Sequence, residues 1–141
     1  MLLKVKKLSR EAKLPTKATE GSVCYDVFST KRILFSPNEK NMIHTGLVFE
    51  VPKGYGMDIR PRSGLASRGL IILNSPGTLD SDYRGELLVS CANISNRNIL
   101  VDKGDRIVQV RLFKVIDLEF EEVEEISETV RGKGGFGSTG E

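Results

Sequence analysis

Apolar positions along the chain fall at every second residue or in short unbroken runs, with polar stretches between them. LLKVKKL (2–8), SVCYDVF (22–28), RILF (32–35), NMIHTGLVFEV (41–51), YGMDIR (55–60), LIIL (70–73), GELLVSCANIS (85–95) and RIVQVRLFKVIDLEF (106–120) read as short, mostly antiparallel strands. Turn chemistry separates them at Pro37-Asn38, Pro52-Lys53-Gly54, Ser75-Pro76-Gly77, Asn96-Arg97-Asn98 and Lys103-Gly104-Asp105. A single short turn of helix fits Ser63 to Arg68. The only other helical stretch to consider is Val123 to Val130, although the alternation of Ile116, Leu118 and Phe120 favours a strand entering it. The pattern predicts an all-β fold, a sandwich or barrel of the jelly-roll kind.

The periodic apolar pattern stops near Ile126, which divides the chain into a β-barrel domain over residues 1–125 and a flexible glycine-rich arm over 126–141. Fully extended at about 3.3 Å per residue, the arm would span on the order of 50 Å. The body has an expected radius of gyration of only ~14 Å, so the arm is long enough to reach another subunit.

Composition narrows the function. The chain has 141 residues, 39% hydrophobic and 28% charged, with a net charge of +2. A protein that grips nucleic acid through its phosphates carries a basic stripe; here the basic run Lys4 to Lys7 is short and other charges are mixed, so no nucleic-acid partner is expected. Cys24 and Cys91 have neither zinc-ligand spacing nor the density of a disulfide scaffold, and read as buried thiols. Lys4 breaks the apolar start too early for a signal-peptide core, and no stretch approaches the roughly 20 apolar residues of a membrane span. These features predict a cytoplasmic protein without a membrane partner.

Five glycines lie in RGKGGFGSTG, Arg131 to Gly140. Gly132, Gly134 and Gly137 spell G-x-G-x-x-G, but a dinucleotide site needs a helix after the motif and too few residues follow to form one. The Walker A pattern fails as well, because Ser138 follows Gly137. What remains is a tail with phosphate-binding chemistry. In PRSGLASRG, Arg62 offers a guanidinium fork, Ser63 a hydroxyl and Gly64 an unobstructed amide, material either for an anion cradle or for a polar turn capped by Ser63. NSPGTLDSDYRGE (74–86) fits a long hairpin with Pro76-Gly77 at its tip. Asp80 and Asp82 face opposite ways if extended, one suited to a general base and the other to Arg84 or a turn cap; both also fit as turn formers. GDRIVQV (104–110) places Gln109 on the polar face of a strand. His44 reads as structural, and the acidic run Glu119 to Glu125 as a solvated face.

Taken together, Tyr25-Asp26, PRSGLA (61–66), GTLDSDYRGE (77–86), GDRIVQ (104–109) and RGKGGFGSTG (131–140) resemble, in order and spacing, the five motifs of the homotrimeric dUTPases. The resemblance implies a jelly roll-like β barrel, a homotrimer with active sites shared between subunits, and hydrolysis of dUTP to dUMP and pyrophosphate with Mg²⁺. That reaction supplies dUMP for thymidylate synthesis and keeps uracil out of DNA. By the same resemblance, Asp80 is the base that activates water against the α-phosphorus, and Tyr83 packs under deoxyribose. Asn74 and the backbone from there through Gly77 and Thr78 meet the uracil edge. Arg62, Ser63, Gly64 and Gln109 contact the phosphates, and Asp26 holds Mg²⁺ through water. In the arm, Phe136 stacks over uracil, Gly137, Ser138 and Thr139 grip the terminal phosphate, and Arg131 neutralises transition-state charge; without substrate the arm is expected to be disordered. The chain departs from the family pattern at Val23-Cys24, where Ala-Gly is usual, at Leu79, where isoleucine is common, and at Pro76 beside Gly77. Alternatives are a catalytically silent nucleotide-binding relative, the dCTP deaminase branch of the same barrel, and a small β-barrel nucleic-acid binder.

Overall fold

The computed structural model describes residues 1–135. Eleven strands and one short helix follow in order: β1 (Lys4–Lys7), β2 (Tyr25–Phe28), β3 (Ile33–Phe35), β4 (Lys40–His44), β5 (Leu47–Glu50), β6 (Tyr55–Pro61), α1 (Ser63–Ser67), β7 (Leu70–Ile72), β8 (Gly77–Leu79), β9 (Leu88–Asn93), β10 (Ile99–Val101) and β11 (Arg106–Lys114). Every pairing between them is antiparallel. The strands form a four-stranded sheet β2-β11-β6-β8, a three-stranded sheet β4-β9-β7, and the pairs β1-β5 and β10-β3. These ladders enclose one core without closing into a continuous barrel, in keeping with the jelly-roll-like, all-β architecture that the sequence pattern predicts.

Period-two patterning explains which side chains enter that core. Leu47, Phe49 and Val51 are buried while Glu50 is exposed, and Val108 and Val110 are buried on either side of half-buried Gln109. Phe35, Ile43, Val89 and Val101 complete the centre. Asn93 is fully buried among them, and its polar atoms are all used: Nδ2 donates to the carbonyls of Phe35 and Arg97 at 2.9 and 2.7 Å, and Oδ1 accepts from the Ser95 amide and hydroxyl at 2.9 and 2.7 Å. The Asn96-Arg97-Asn98 turn is thereby fixed to the core. The predicted turns at Gly54 and Gly104 have φ of +82° and +86°, values that side chains disfavour.

The tail differs from the pattern-based expectation. Strand β11 ends at Lys114, and residues 115–135 contain neither the strand continuation through Phe120 nor a helix over Val123 to Val130. Ile116, Leu118 and Phe120 are 77%, 68% and 92% exposed, so their alternation meets no partner strand within this chain. The acidic residues that follow place like charges at helical spacing, which opposes an isolated helix.

Candidate active site

The predicted hairpin is present as β7 against β9, with residues 73–87 as a long excursion between them. Midway through it, β8 crosses to β6 and pairs Met57 with Leu79, Asp58 with Thr78 and Ile59 with Gly77. Gly77 sits where a Cβ would come within 3.3 Å of Asn74 Nδ2 and 3.4 Å of the Asn74 carbonyl oxygen, so a larger residue would press the Asn74 side chain aside by a few tenths of an ångström. After β8 the chain turns, the Tyr83 amide donating to the Asp80 carbonyl at 3.2 Å. Arg84 donates to the carbonyls of Ser81 and Tyr83 at 2.8 and 2.9 Å. It is therefore not the partner of an aspartate, and among the described residues neither Asp80 nor Asp82 forms an ion pair. The Tyr83 ring lies over Gly85, where a Cβ would collide with it, and its hydroxyl donates to the Glu86 carbonyl at 3.0 Å.

These residues line a cleft of about 250 Å³, with Asn74, Thr78, Asp80, Tyr83 and Glu86 on its polar side and Met42, Ile59 and Leu88 among its apolar walls. Small-molecule pockets usually start near 300 Å³, so this cleft is too small to enclose a large ligand by itself. A larger groove of about 590 Å³ lies elsewhere, lined by Leu3, Val5, Leu14, Pro15, Tyr25, Phe49 and Leu112; of the residues in the five motifs, Tyr25 alone reaches its walls among the described residues.

A second group forms where β2, β11 and the end of β6 meet. Asp26 is buried, with Oδ1 3.3 Å from Arg62 Nη1 and Oδ2 3.4 Å from Arg106 Nη1. Gln109 stands directly opposite Asp26 on one side and Arg60 on the other. Ser63 and Gly64 occupy the first turn of α1. Arg62, not Ser63, is the N-cap residue, and no side chain caps the helix, which leaves its first amides for an incoming acceptor. Among the described residues beyond its neighbours and the α1 backbone, none comes within 4 Å of where a Gly64 Cβ would stand, so this position faces open space. Arg106 was not singled out from sequence although it lies inside GDRIVQ, because its partnership with Asp26 exists only through the β2–β11 register.

The two groups do not meet within one chain. The strand that carries Asp80 leaves the sheet at Leu79, opposite Met57, whereas Gln109 falls opposite Arg60. Three residues separate those rungs, about 10 Å along the strand at ~3.3 Å each, and two inter-strand spacings add to that. Arg131 joins neither group: it is exposed and its Nε donates to the Gly134 carbonyl at 2.9 Å within its own turn. Phe136, Gly137, Ser138 and Thr139 lie outside the described residues.

A metal at Asp26 can be tested against this geometry. The site has one carboxylate and two guanidinium groups, an excess of positive charge that repels a bare cation. Among the described residues no cluster of three or more His, Cys, Asp or Glu could hold a metal ion alone. The donor set fits Mg²⁺ that keeps its waters and arrives neutralised by phosphate oxygens.

Residues 10–140 match the family model described as dUTPase. The chain is 48% identical over 141 residues to a deoxyuridine 5'-triphosphate nucleotidohydrolase of Nautilia profundicola, covering 99% of each. It is 46% identical over 142 residues to the protein of that name in Hydrogenobaculum sp., again covering 99% of each. The dUTPase of Staphylococcus bacteriophage 80alpha with dUPNHPP superposes with a TM-score of 0.89 at 28% identity, covering 99% of this chain and 98% of that one. A dUTPase from phage phi11 of S. aureus, described as coordinating a structural Mg(II) ion, shares the fold with a TM-score of 0.82 at 24% identity over 91% of this chain.

Proposed function

The chain belongs to the dUTPase family and is a dUTP diphosphatase, and from that premise we propose how its residues divide the reaction. The observation that carries the reading is the gathering of Asn74, Thr78, Asp80 and Tyr83 around one nucleoside-sized cleft. Asn74, with the backbone of Gly77 and Thr78, pairs with the uracil edge, and Tyr83 lies under the deoxyribose. Cytosine exchanges a donor for an acceptor on that edge and would leave buried polar groups unpaired at about 1–3 kcal/mol each. Asp80 accepts a proton from water as the water oxygen bonds to the α-phosphorus, while the bond from that phosphorus to the bridging oxygen breaks and pyrophosphate leaves.

Arg62, the Ser63 hydroxyl, the Gly64 amide and Gln109 hold the phosphate chain, and Asp26 would hold Mg²⁺ through water. When bound, that ion neutralises developing charge on the phosphates. Arg131 adds a further positive charge from the arm, residues 126–141, whose Phe136 covers the base and whose Gly137, Ser138 and Thr139 close on the terminal phosphate.

This division requires more than one copy of the chain, and we place it in a homotrimer. Two observations support self-association. Asp80 and Gln109 are too far apart in one chain for a base and a phosphate ligand to act on one α-phosphorus. The alternating row of Ile116, Leu118 and Phe120 is exposed, with acidic residues between its members, while the edge strand β1 offers Lys6. Pyrophosphate release with Mg²⁺, compared for dUTP, dTTP, dCTP and UTP, tests the function. Turnover confined to dUTP is expected; ammonia release from dCTP, or no turnover of dUTP, would overturn it.

A further inference from the structure

Glu86 follows the hairpin turn and reaches away from it to a separate part of the body. One carboxylate oxygen accepts the Gly46 amide at 2.7 Å, and the other accepts from His44 Nδ1 at 3.0 Å. Both donors belong to the corner where β4 passes into β5. Neighbouring bonds reinforce this seam: the Leu87 amide donates to the Leu47 carbonyl at 2.8 Å and the Thr45 hydroxyl to the Leu87 carbonyl at 2.7 Å. The corner itself has little freedom. Gly46 has φ +67°, and a Cβ there would stand 2.9 Å from Ala12 Cβ and 3.1 Å from Thr30 Cγ2.

The hairpin side of the same residue carries Tyr83, whose hydroxyl donates to the Glu86 carbonyl at 3.0 Å. One residue thus connects a rigid corner, through two hydrogen bonds to a carboxylate, with the ring that floors the cleft. We propose that Glu86, seconded by His44, is a positioning residue for Tyr83 and so sets how strictly the cleft rejects a 2′-hydroxyl. The proposal rests on the role given above to Tyr83. A carboxylate suits the task because it receives two N–H donors at once, in the charge-assisted form that is stronger than neutral bonds. Without it the Gly46 amide loses its acceptor, and the backbone that carries the Tyr83 anchor is held to the corner through Leu87 alone.

The measurement is kcat/KM for dUTP and for UTP in the full chain, with melting temperature alongside. Glu86→Ala should lower the dUTP-to-UTP ratio by about tenfold or more, chiefly through KM for dUTP and a gain on UTP. Glu86→Gln keeps an acceptor for Gly46 and should stay within about threefold of the wild-type ratio. His44→Leu removes only the imidazole and should cost about threefold, which keeps the test decisive if Glu86→Ala does not fold. Tyr83→Phe in the Glu86→Ala background should add little, since both act on one contact; full additivity would overturn the proposal. An unchanged ratio in Glu86→Ala or His44→Leu, whatever the melting temperature does, would also overturn it and leave dUTP hydrolysis standing. A wild-type chain without dUTP turnover would instead remove the function on which it rests.

Discussion

The two halves of the site are built by opposite means. The nucleoside half is a contiguous stretch, residues 74–86, whose shape comes from its own backbone bonds, from Arg84 stitching two carbonyls, and from glycines that leave space for Asn74 and Tyr83. The phosphate half draws its residues from two strands, β2 and β11, and from the start of α1, and it is held by charge, with one buried carboxylate between two guanidinium groups. On the proposed division, the first half recognises shape and hydrogen-bonding pattern, and the second binds an anion through its excess of positive charge.

The largest effect that separates the halves should come from Asp80→Asn. Loss of the base should cut turnover by about 10²–10⁴-fold, while an unhydrolysable dUTP analogue still binds by calorimetry. A near-normal rate would take Asp80 out of the base role. Asp26→Asn should act differently, because it leaves Arg62 and Arg106 facing each other without their counter-charge. We expect a loss of about tenfold to a hundredfold in kcat/KM with a weakened Mg²⁺ dependence, and about 1–3 kcal/mol of stability, discounted for the partial exposure of both arginines. Intact Mg²⁺ dependence would contradict its role.

A third test breaks the comparison physically by placing each defect in a different chain. Asp80→Ala and Gln109→Ala chains, each inactive, unfolded and refolded together, should recover about a quarter of wild-type activity if each site takes its two halves from different subunits. No recovery would return both halves to one chain. The smallest effect lies far from either half, at the Lys4 Nζ to Glu50 contact of 3.0 Å. The hydrogen bond and charge of Lys4 hold the Glu50 carboxyl below its usual value. Any stability it contributes is therefore present above the unfolded pKa and lost as pH falls through the lower folded one. Lys4→Met should shift the melting temperature only slightly at neutral pH and not at all once Glu50 is protonated.

How far each half was legible in the sequence follows from the same contrast. The hairpin residues are adjacent, so turn chemistry reported the excursion between β7 and β9, but not the crossing of β8 to β6 or the bonding of Arg84 to carbonyls instead of an aspartate. Asp26, Arg62 and Gln109 carried a motif resemblance, but the Asp26–Arg106 contact depends on strand register, which no local pattern reports. The separation of Asp80 from Gln109 was hidden for the same reason. Farther along, Ile116, Leu118 and Phe120 alternate as a strand does, yet β11 stops at Lys114. Alternation records a capacity to pair, not the presence of a partner in the same chain. Of the two cysteines read as buried thiols, Cys91 is buried, its thiol raised by desolvation to about 12, and should resist alkylation while the fold is intact, whereas Cys24, next to the start of β2, is only half-buried.

The bare row after β11 has a consequence for how the protein behaves at low abundance. If those apolar side chains find their cover only on another copy, the specific rate per chain must fall on dilution as assemblies dissociate by mass action. A cell with few such chains would then hold greasy, underperforming singles, and the concentration at which half the rate is lost would measure what that cover is worth.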